Sequence, residues 1–380
     1  MPLSRRHWLA QTGLLCSASL LSLPLFATAG ARQANGPFGA LREPDAHGLR
    51  LPPGFKARLV AQTGERLPGK GYVWHAAPDG GATFRAPDGG WFYVSNAEIS
   101  DGGGGAASLN FAADGELRDA WRILDGTQRN CAGGPTPWGT WLSGEEVELG
   151  LIHECDPTRP GLGVPRPLLG SFMHEAAAVD PATGFVYLTE DHVEGRFYRF
   201  RPTTPGRLHA GLLEAAHLGA DGRLDWRIVP HTEPCRTPGT TAFARGEGIW
   251  YAGGRIYFST THDHRIWCHE PATGALTVIY DGIALGDAAI LRWPDNLTVH
   301  PTSGALFVAE DGDDMQVNML SATPSGWTVA PFLKFEGHDQ SEVTGPAFSP
   351  DGNRLYLSSQ RGRDGTTGMT FEISGPFTQT

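Results

Sequence analysis

Short hydrophobic runs separated by tight turns recur along this chain, and they predict a protein built from β-strands. Each run follows a turn rich in Pro, Asp and Gly, contains β-branched and aromatic residues, and ends on polar or acidic residues. This is the pattern of the second half of a β-hairpin. Five copies are visible, at residues 86–98, 180–191, 253–263, 300–311 and 349–361. Nothing in the chain has the periodicity of a long amphipathic helix.

The first half of each hairpin lies upstream of its turn, and the spacing of these segments predicts the fold. The six hairpins start near residues 82, 131, 175, 247, 295 and 342, so most intervals are 44 to 49 residues. That is the length of one four-stranded propeller blade. The longer interval between 175 and 247 indicates a blade with an inserted loop. We therefore predict an all-β, six-bladed β-propeller.

The two ends of the chain are predicted to meet in this ring. Residues 55–62 form an early strand that can pair with residues 369–373, so that N- and C-terminal strands close the last blade. Closure removes the open sheet edges that otherwise promote aggregation. We assign residues 51–380 to a single propeller domain. Residues 31–50, which are polar and contain Pro and Gly, are assigned to a flexible arm.

The first 30 residues have the pattern of an export signal. Arg5 and Arg6 precede an apolar region that runs to about Ala27, where small residues offer a cleavage site. This is typical of a twin-arginine signal peptide, although a chance Arg pair before an ordinary secretory signal gives the same pattern. We expect the twin-arginine export machinery as a partner, and a periplasmic or secreted protein. No other stretch is long and apolar enough to cross a bilayer, so no stable membrane insertion is expected.

Charge and cysteine spacing exclude several other classes of protein. The formal net charge is −11 and the chain has no long basic run, so nucleic acid is not an expected partner. We also expect a monomer. The cysteines that follow the signal show no CxxC pair, which excludes a zinc ribbon; they are Cys131, Cys155, Cys235 and Cys268. An oxidising compartment would allow a disulfide between Cys155 and Cys235.

Acidic residues recur at the starts of the hairpins and predict a metal site. In a propeller the first strands line the central channel, so residues at their starts meet at one mouth of the channel. These residues are Cys131, Glu175, Glu247, Asp295 and Glu342. A second set lies just outside them: Glu145, Glu146, Glu190, Asp191, Asp263, Glu310 and Asp311. Like charges this close need compensation by cations. Carboxylates suit Ca²⁺ or Mg²⁺, and a thiolate among them indicates a transition metal. The alternative is that these acids are ordinary solvated turn residues.

Arg245 is predicted to point at the same channel mouth, because it lies two residues before Glu247. An arginine among acids either neutralises them or binds an anion through two hydrogen bonds. The chain has no GxSxG or Walker-type loop, and its serines lack a convincing base partner. A Ser/His/Asp hydrolase is therefore not indicated.

The segment 130–146, Asn-Cys-Ala-Gly-Gly-Pro-Thr-Pro-Trp-Gly-Thr-Trp-Leu-Ser-Gly-Glu-Glu, closely resembles the signature of the PhoX-type alkaline phosphatases. Residues 174–184, 294–296 and 349–356 resemble the same family, as does the twin-arginine start. The resemblance covers the chain from about residue 50 to its end. It implies a six-bladed propeller with a mixed iron–calcium cluster at the channel mouth.

Carried over residue by residue, the resemblance assigns roles to these positions. Three residues match the family's iron ligands: Cys131, Glu175 and Glu247. Three match acids that hold calcium: Glu146, Asp295 and Glu342. Glu175 and Glu247 are expected to bridge metals of both kinds. Arg245 matches an arginine near the substrate phosphate, so Arg245, Glu175 and Glu247 are the candidate catalytic residues.

The implied function is a metal-dependent phosphatase that hydrolyses phosphate monoesters, with iron and calcium as cofactors and a small phosphate ester as substrate. The alternative is a calcium-binding propeller with lactonase-like hydrolase activity or a non-catalytic binding role. Metal content separates the two. Iron with several calcium ions favours the phosphatase, whereas calcium alone, at one ion per chain, favours the alternative.

Overall fold

The computed structural model describes residues 31–34, 36–232, 236–312 and 314–378, and the predicted export signal at residues 1–30 lies outside them. The regular structure of these residues is almost entirely β, in six sheets. The remainder is a short helix, α1 (Gly282–Leu285), and two 3₁₀ turns at Pro167–Leu169 and Gly286–Ala288. None of the described helices is long and apolar enough to span a membrane.

Three strands precede the first blade: β1 (Arg32–Gln33), β2 (Leu49–Arg50) and β3 (Lys56–Gln62). Blade 1 contains β4 (Pro78–Arg85), β5 (Trp91–Ala97), β6 (Gly104–Phe111) and β7 (Leu117–Thr127). Blade 2 contains β8 (Asn130–Pro135), β9 (Trp141–Glu145), β10 (Ile152–Cys155) and β11 (Val164–Pro165). Blade 3 contains β12 (His174–Val179), β13 (Val186–Glu190), β14 (Phe197–Pro202), β15 (Gly211–Leu218) and β16 (Leu224–Ile228).

Blade 4 contains β17 (Gly246–Ala252), β18 (Arg255–Thr260), β19 (Arg265–Glu270) and β20 (Ala275–Asp281). Blade 5 contains β21 (Pro294–Val299), β22 (Leu306–Glu310), β23 (Gln316–Thr323) and β24 (Gly326–Phe335). Blade 6 contains β25 (Val343–Phe348), β26 (Arg354–Ser359), β27 (Met369–Ser374) and β3. The predicted six-bladed β-propeller is confirmed. The insertion expected in blade 3 supplies that blade's fifth strand, β16.

The ring is closed as the sequence predicts. β3 pairs antiparallel with β27, with Gln62 opposite Met369 and Lys56 opposite Ser374. The last blade therefore takes three strands from the end of the chain and one from its start, which ties the two termini together.

Residues 31–50, assigned above to a flexible arm, run along the outer strand of blade 5. β1 pairs with β24 in parallel, and β2 pairs with it antiparallel, with Leu49 opposite Phe335. The side chain of Leu49 is buried in the same apolar cluster as Phe335. The arm covers backbone groups at the outer edge of blade 5 that would otherwise remain open for pairing.

Small residues facing the channel allow the first strands of neighbouring blades to approach closely. One cavity is lined by a residue from the first strand of every blade. Five of these residues are Gly or Ala, namely Gly80, Ala132, Ala176, Gly248 and Gly345, and blade 5 contributes Asn296. A Cβ atom at Gly80 would lie 2.4 Å from Cα of Ala132, and one at Gly248 would lie 2.7 Å from Cα of Asn296. Larger side chains would push these strands apart. The close approach is what brings side chains from different blades within bonding distance at the channel mouth.

Polar side chains on the second strands of blades 1, 3 and 4 tie each of these blades to the next. The amide of Asn96 donates to the carbonyl of Ala132 at 2.8 Å. The hydroxyl of Thr189 donates to the carbonyl of Glu247 at 2.5 Å, and that of Ser259 donates to the carbonyl of Asp295 at 2.6 Å. These bonds satisfy buried backbone carbonyls and fix the first strands that carry the predicted site residues.

Replacing Phe371 by Ala is expected to lower the free energy of unfolding by about 3–5 kcal/mol. Phe371 is fully buried in β27, faces Leu59 of β3 in the register, and packs its ring 5.6 Å from that of Phe335 in blade 5. Its loss leaves a cavity at the closure of the ring. Denaturant unfolding followed by circular dichroism measures the change. The milder Ile373→Val change in the same strand should cost only about 0.5–1.5 kcal/mol, and equal effects of the two changes would contradict this account.

The described cysteines form no disulfide with one another. Cys131, Cys155 and Cys268 are all buried. The Sγ of Cys155 lies 3.7 Å from the carbonyl of His153, and the disulfide considered between Cys155 and Cys235 stays a prediction. Cys235 itself lies outside the described residues.

Candidate metal centre

The start of every first strand is built in the same way. The residue before the strand, which we call the entry position, accepts a backbone hydrogen bond from the residue after the second strand, at 3.0 to 3.2 Å. The entry positions are Ala77, Arg129, Met173, Arg245, Trp293 and Glu342. Each first strand then has a register shift against its neighbour. Such bulges redirect side chains out of the regular alternation.

The second residue of each first strand lies at this irregular stretch. In blades 1 to 6 these residues are Asp79, Cys131, Glu175, Glu247, Asp295 and Thr344, and all of them are buried. Buried carboxylates are rare unless they are paired or bind a cation. Five of the six blades therefore present a carboxylate or a thiol, side chains of the kind that can bind a metal ion, at an equivalent position.

Two groups of three side chains come close enough to hold a cation. In the first group, ligand atoms of Cys131, Glu146 and Glu175 all lie within 4.8 Å of one another. In the second group, carboxylate oxygens of Glu175, Glu247 and Asp295 do the same. Glu175 belongs to both groups, and its Oε1 lies 3.3 Å from Sγ of Cys131. Glu175, one of the two residues expected to bridge metals, is therefore shared by the two groups. The resemblance implies that Glu247 binds the same ion as Cys131, but the third member of the group that contains Cys131 is Glu146.

Arg245 is held against the second group by a bidentate ion pair. Its Nε donates to Oδ1 of Asp191 at 2.6 Å, and its Nη2 donates to Oδ2 at 2.9 Å. Nη2 also lies 3.3 Å from Oε1 of Glu247. Two contacts to one carboxylate fix the plane of the guanidinium. Asp191 thus positions Arg245 at the channel mouth, where the sequence predicted it.

Arg129 is the counterpart of Arg245 beside the first group. It occupies the same entry position in blade 2, and its Nη2 donates to Oε2 of Glu146 at 2.9 Å and to Oε1 of Glu98 at 2.5 Å. The repeat therefore places one arginine next to each group of ligands. Sequence reasoning missed Arg129; its position two residues before Cys131, as Arg245 is two before Glu247, was the signal available.

Glu342 occupies the entry position of blade 6. Glu175, Glu247 and Asp295 lie two residues beyond the entry positions of their own blades. The carbonyl of Glu342 accepts from the N–H of Gln360 at 3.1 Å, as that of Arg245 accepts from Thr261. Glu342 is buried and accepts a hydrogen bond from Arg361 Nη1 at 2.7 Å. The second residue of β25 is Thr344, so blade 6 contributes a hydroxyl where the others contribute an acid or a thiol.

Asp79 is the equivalent residue of blade 1, and sequence reasoning missed it. It stands in blade 1 where Glu175 stands in blade 3, and it is buried. Its Oδ1 accepts from the N–H of Gly80 at 2.7 Å, and its Oδ2 accepts from Nε2 of Gln360 at 2.5 Å. The similarity of Pro78-Asp79-Gly80 to Pro294-Asp295-Asn296 was the signal that could have revealed it.

A family model described as alkaline phosphatase PhoX matches residues 95–151 and 147–362, which is more than half of the chain. The chain belongs to the PhoX family. No curated protein matches its sequence.

Solved structures extend the comparison to the fold of this PhoX-family chain. Pseudomonas fluorescens PhoX, in complex with vanadate, a transition state analogue, is similar with a TM-score of 0.71 and 16% identity, over 91% of this chain and 98% of that chain. A gluconolactonase from Xanthomonas campestris has a TM-score of 0.45 and 14% identity, over 93% and 99% of the two chains. Agrobacterium tumefaciens regucalcin, a calcium-binding protein, has a TM-score of 0.43 and 13% identity, over 84% and 96%. At these identities the first comparison shows a shared fold, and the other two carry no weight for function.

Hydrogen bonds orient the ligands of this PhoX-family site. Asn296 donates from Nδ2 to Oδ1 of Asp295 at 2.9 Å, and its own Oδ1 accepts from the N–H of Gly345 at 2.8 Å. The hydroxyl of Thr261 donates to Oε1 of Glu247 at 2.7 Å. Such supporting bonds fix the direction in which a carboxylate presents its oxygens. Asn296 and Thr261 are further positioning residues that the sequence did not single out.

The two adjacent acids that end the segment 130–146, Glu145 and Glu146, have different partners. Glu146 is buried and belongs to the first group of ligands. Glu145 turns away and accepts hydrogen bonds from the backbone N–H groups of Gln128 and Leu151, at 2.9 and 3.1 Å. Burial alone raises the pKa of Glu145, but these bonds and the nearby His153 ring lower it overall. Glu145 is therefore a structural carboxylate of blade 2.

The other outer acids are also engaged within or between blades. Glu190 accepts from Tyr198 at 2.8 Å and from Nε of Arg236 at 2.9 Å; burial raises its pKa despite the arginine. Asp263 accepts from Arg265 at 2.9 Å, and Glu310 accepts from the N–H of Arg292 at 2.8 Å. None of these three belongs to the two groups of ligands found among the described residues.

His174, which precedes Glu175, is a wall residue in this geometry. Its Nε2 lies 3.1 Å from the carbonyl of Gly170, and its ring packs 3.8 Å from that of Phe172. Burial lowers the pKa of His174 to about 4. The ring next to Glu175 is therefore neutral at physiological pH. The cationic side chains described beside the two groups of ligands are those of Arg129 and Arg245.

The donor set fits metal ions. Glu175, Glu247 and Asp295 offer only hard oxygen atoms, which suit Ca²⁺. Cys131 adds one soft thiolate beside Glu146 and Glu175, which suits a transition metal such as iron. The second group contains three buried carboxylates, and Arg245 is the cationic side chain described beside them. Their negative charge favours the binding of further positive charge at the centre.

Proposed function

We propose that this protein is a metal-dependent phosphatase that hydrolyses phosphate monoesters at the mouth of the propeller channel. The observation that carries the proposal is the pair of ligand groups that share Glu175, with Arg245 fixed beside them. The PhoX family of the chain supports the same class of reaction.

We further propose iron and calcium as the cofactors. Iron would be held with the help of Cys131, and calcium by the carboxylates; the ligands proposed in all are Cys131, Glu146, Glu175, Glu247, Asp295 and Glu342. When bound, the cations would supply positive charge that binds the phosphate oxygens and stabilises the charge that develops in the transition state.

The protein's own part in the reaction is to orient the phosphate and to keep the ligands in place. Arg245 carries a planar guanidinium whose donors match the geometry of a phosphate. Asp191 holds that plane with two hydrogen bonds, at 2.6 and 2.9 Å, so little side-chain freedom is lost when a phosphate binds. Thr261 and Arg245 both contact Oε1 of Glu247, which keeps this carboxylate in one orientation.

Location and partners follow as part of the same proposal. The Arg5-Arg6 signal directs the chain to the twin-arginine export machinery, and the mature protein acts in the periplasm or after secretion, as a monomer, on a small phosphate ester. Twin-arginine export moves folded proteins, which suits a centre that is loaded with metal before export.

The exported, metal-loaded protein is expected to release phosphate from 4-nitrophenyl phosphate at alkaline pH and to lose this activity on chelation. Removing the cations leaves the carboxylates of the centre without compensation and removes the charge that binds phosphate. The rate of nitrophenol release, before and after treatment with a chelator and after return of iron and calcium, measures the effect.

Elemental analysis of the same sample is the control. Iron together with several calcium ions per chain agrees with the proposal. Calcium alone at one ion per chain, or no hydrolysis of any member of a broad panel of phosphate esters by loaded protein, would contradict it.

A further inference from the structure

An aromatic side chain occupies one of the entry positions around the channel mouth. Trp293 is the entry residue of blade 5, two residues before the ligand Asp295, as Arg245 is two residues before Glu247 in blade 4. The two blades are neighbours, and their first strands β17 and β21 contact each other. Trp293 therefore lies beside the part of the mouth where Arg245 would hold a phosphate.

The direction of the indole follows from the arginines at equivalent positions. Arg129 and Arg245 each reach back to the blade that precedes their own, where they contact Glu98 and Asp191. Trp293 does the same, since its ring lies 4.7 Å from the ring of His264, in the loop after the second strand of blade 4, at an interplanar angle of 54°. The side chain thus spans the seam between blades 4 and 5 on the mouth side of the molecule.

The apolar core does not account for a tryptophan at this place. Trp293 is only half-buried and is not a member of the apolar clusters of the described core. Its φ angle is 49°, a left-handed conformation that a bulky side chain seldom adopts. Arg129 and Arg245 adopt the same conformation, with φ of 42° and 55°. Four of the six entry residues, Ala77, Arg129, Arg245 and Trp293, share this conformation. The side chains found there in blades 2 and 4 contact acids at the mouth.

We propose that Trp293, with His264 beside it, is a stacking platform for the planar aromatic group of the phosphate ester. The inference rests on the proposed function and deepens it, because it names esters of aromatic alcohols as the preferred substrate class. The phosphate would bind at Arg245 and the metal centre, and the ring of the organic group would lie against the indole. Aromatic rings stack on tryptophan by offset or edge contacts, with little demand on their other substituents.

The test compares two phosphonates that differ only in the ring. Benzylphosphonate carries a planar aromatic ring, and cyclohexylmethylphosphonate carries a saturated ring of the same size; neither can be hydrolysed at the P–C bond. Calorimetric titration of the full, metal-loaded chain gives the ratio of the two dissociation constants. We expect the wild type to favour the aromatic ligand at least about fivefold, since stacking on a side chain is worth a factor of this order or more.

Substitutions at residue 293 should change this ratio in a graded way. Trp293→Leu keeps an apolar side chain without a ring and should bring the ratio close to one, while Trp293→Phe should restore most of the preference. The ratio is taken on one sample, so a partly folded or partly loaded preparation does not alter it. Trp327→Leu is the matched control, because Trp327 lies on the outer strand β24 and packs against Tyr257; it should leave the ratio unchanged.

The outcomes separate this inference from the proposed function. An unchanged ratio in Trp293→Leu, or no aromatic preference in the wild type, overturns the platform even if benzyl phosphate and cyclohexylmethyl phosphate are both hydrolysed. A preference that follows residue 293 in a protein that hydrolyses neither ester supports the platform and overturns the phosphatase. Absence of both phosphonate binding and hydrolysis overturns both.

Discussion

Replacing Glu175 by Gln is expected to remove metal from the channel mouth and to abolish phosphatase activity. Glu175 is fully buried and is shared by the two groups of ligands. Gln keeps the size of the side chain but removes the negative charge, so both groups lose a ligand in a single change. The rate of phosphate release should fall by at least about a thousandfold, the upper end of the effect of losing one preorganised charge-stabilising group.

Elemental analysis and the rate are to be measured on the same exported sample. Glu214→Gln is the matched control, because Glu214 is a buried glutamate on β15 whose carboxylate pairs with Arg199 at 2.7 Å and with Arg201 at 3.3 Å, outside the two groups of ligands. It should keep full metal content and activity per folded molecule. A Glu175→Gln protein with undiminished iron, calcium and turnover would remove the basis for placing the centre here.

The fold was predictable because a repeated hairpin carries its information locally. Turn residues before a β-branched run gave the second strand of five blades, and the spacing gave their number. The partners of the outermost strands were harder to predict. β3 had to close blade 6 because one strand was missing there, and this pairing with β27 is confirmed. β1 and β2 are edge strands of two residues each, too short to show a pattern in the sequence.

Three of the predicted ligands lie at equivalent positions of their first strands. Glu175, Glu247 and Asp295 lie at the second residue of their strands and meet in one group. Asp79 was missed because β4 is eight residues long and β12 is six, so counting back from the turn reached Ala82 instead. Glu342 was taken as equivalent to Glu175 because it is the nearest acid to the expected position, where Thr344 stands.

The contacts of Arg245 and Glu146 could not be predicted from a repeat. The bidentate pairing of Arg245 with Asp191 crosses from blade 4 to blade 3, and its geometry depends on how closely the blades pack. Glu146 approaches Cys131 because it follows the second strand of the same blade. It does not occupy the repeated position at the start of a first strand. Sequence spacing gives position along a strand, whereas distances between strands depend on small residues such as Gly80 and Gly248.

Replacing Cys131 by Ser is expected to remove the transition metal selectively and to leave calcium in place. The second group, Glu175, Glu247 and Asp295, consists of oxygen ligands alone and does not include the thiol. Ser retains the volume and a hydroxyl, but it is a hard and weakly acidic ligand that iron binds less well than a thiolate. Losing a supporting partner of a ligand lowers metal affinity about 10- to 100-fold, and losing the ligand itself should cost at least as much.

Iron and calcium content, together with the visible absorption that a thiolate ligand gives to iron, measure this change without depending on turnover. Cys268→Ser is the matched control, since Cys268 is another buried cysteine but lies on β19, away from the channel mouth. Its iron content should equal that of the wild type. If Cys131→Ser retained full iron and the same absorption, the thiol would not be a ligand. Its position 3.3 Å from Glu175 would then be a packing contact, and the argument for a transition metal, which depends on this one soft atom among carboxylates, would fail with it.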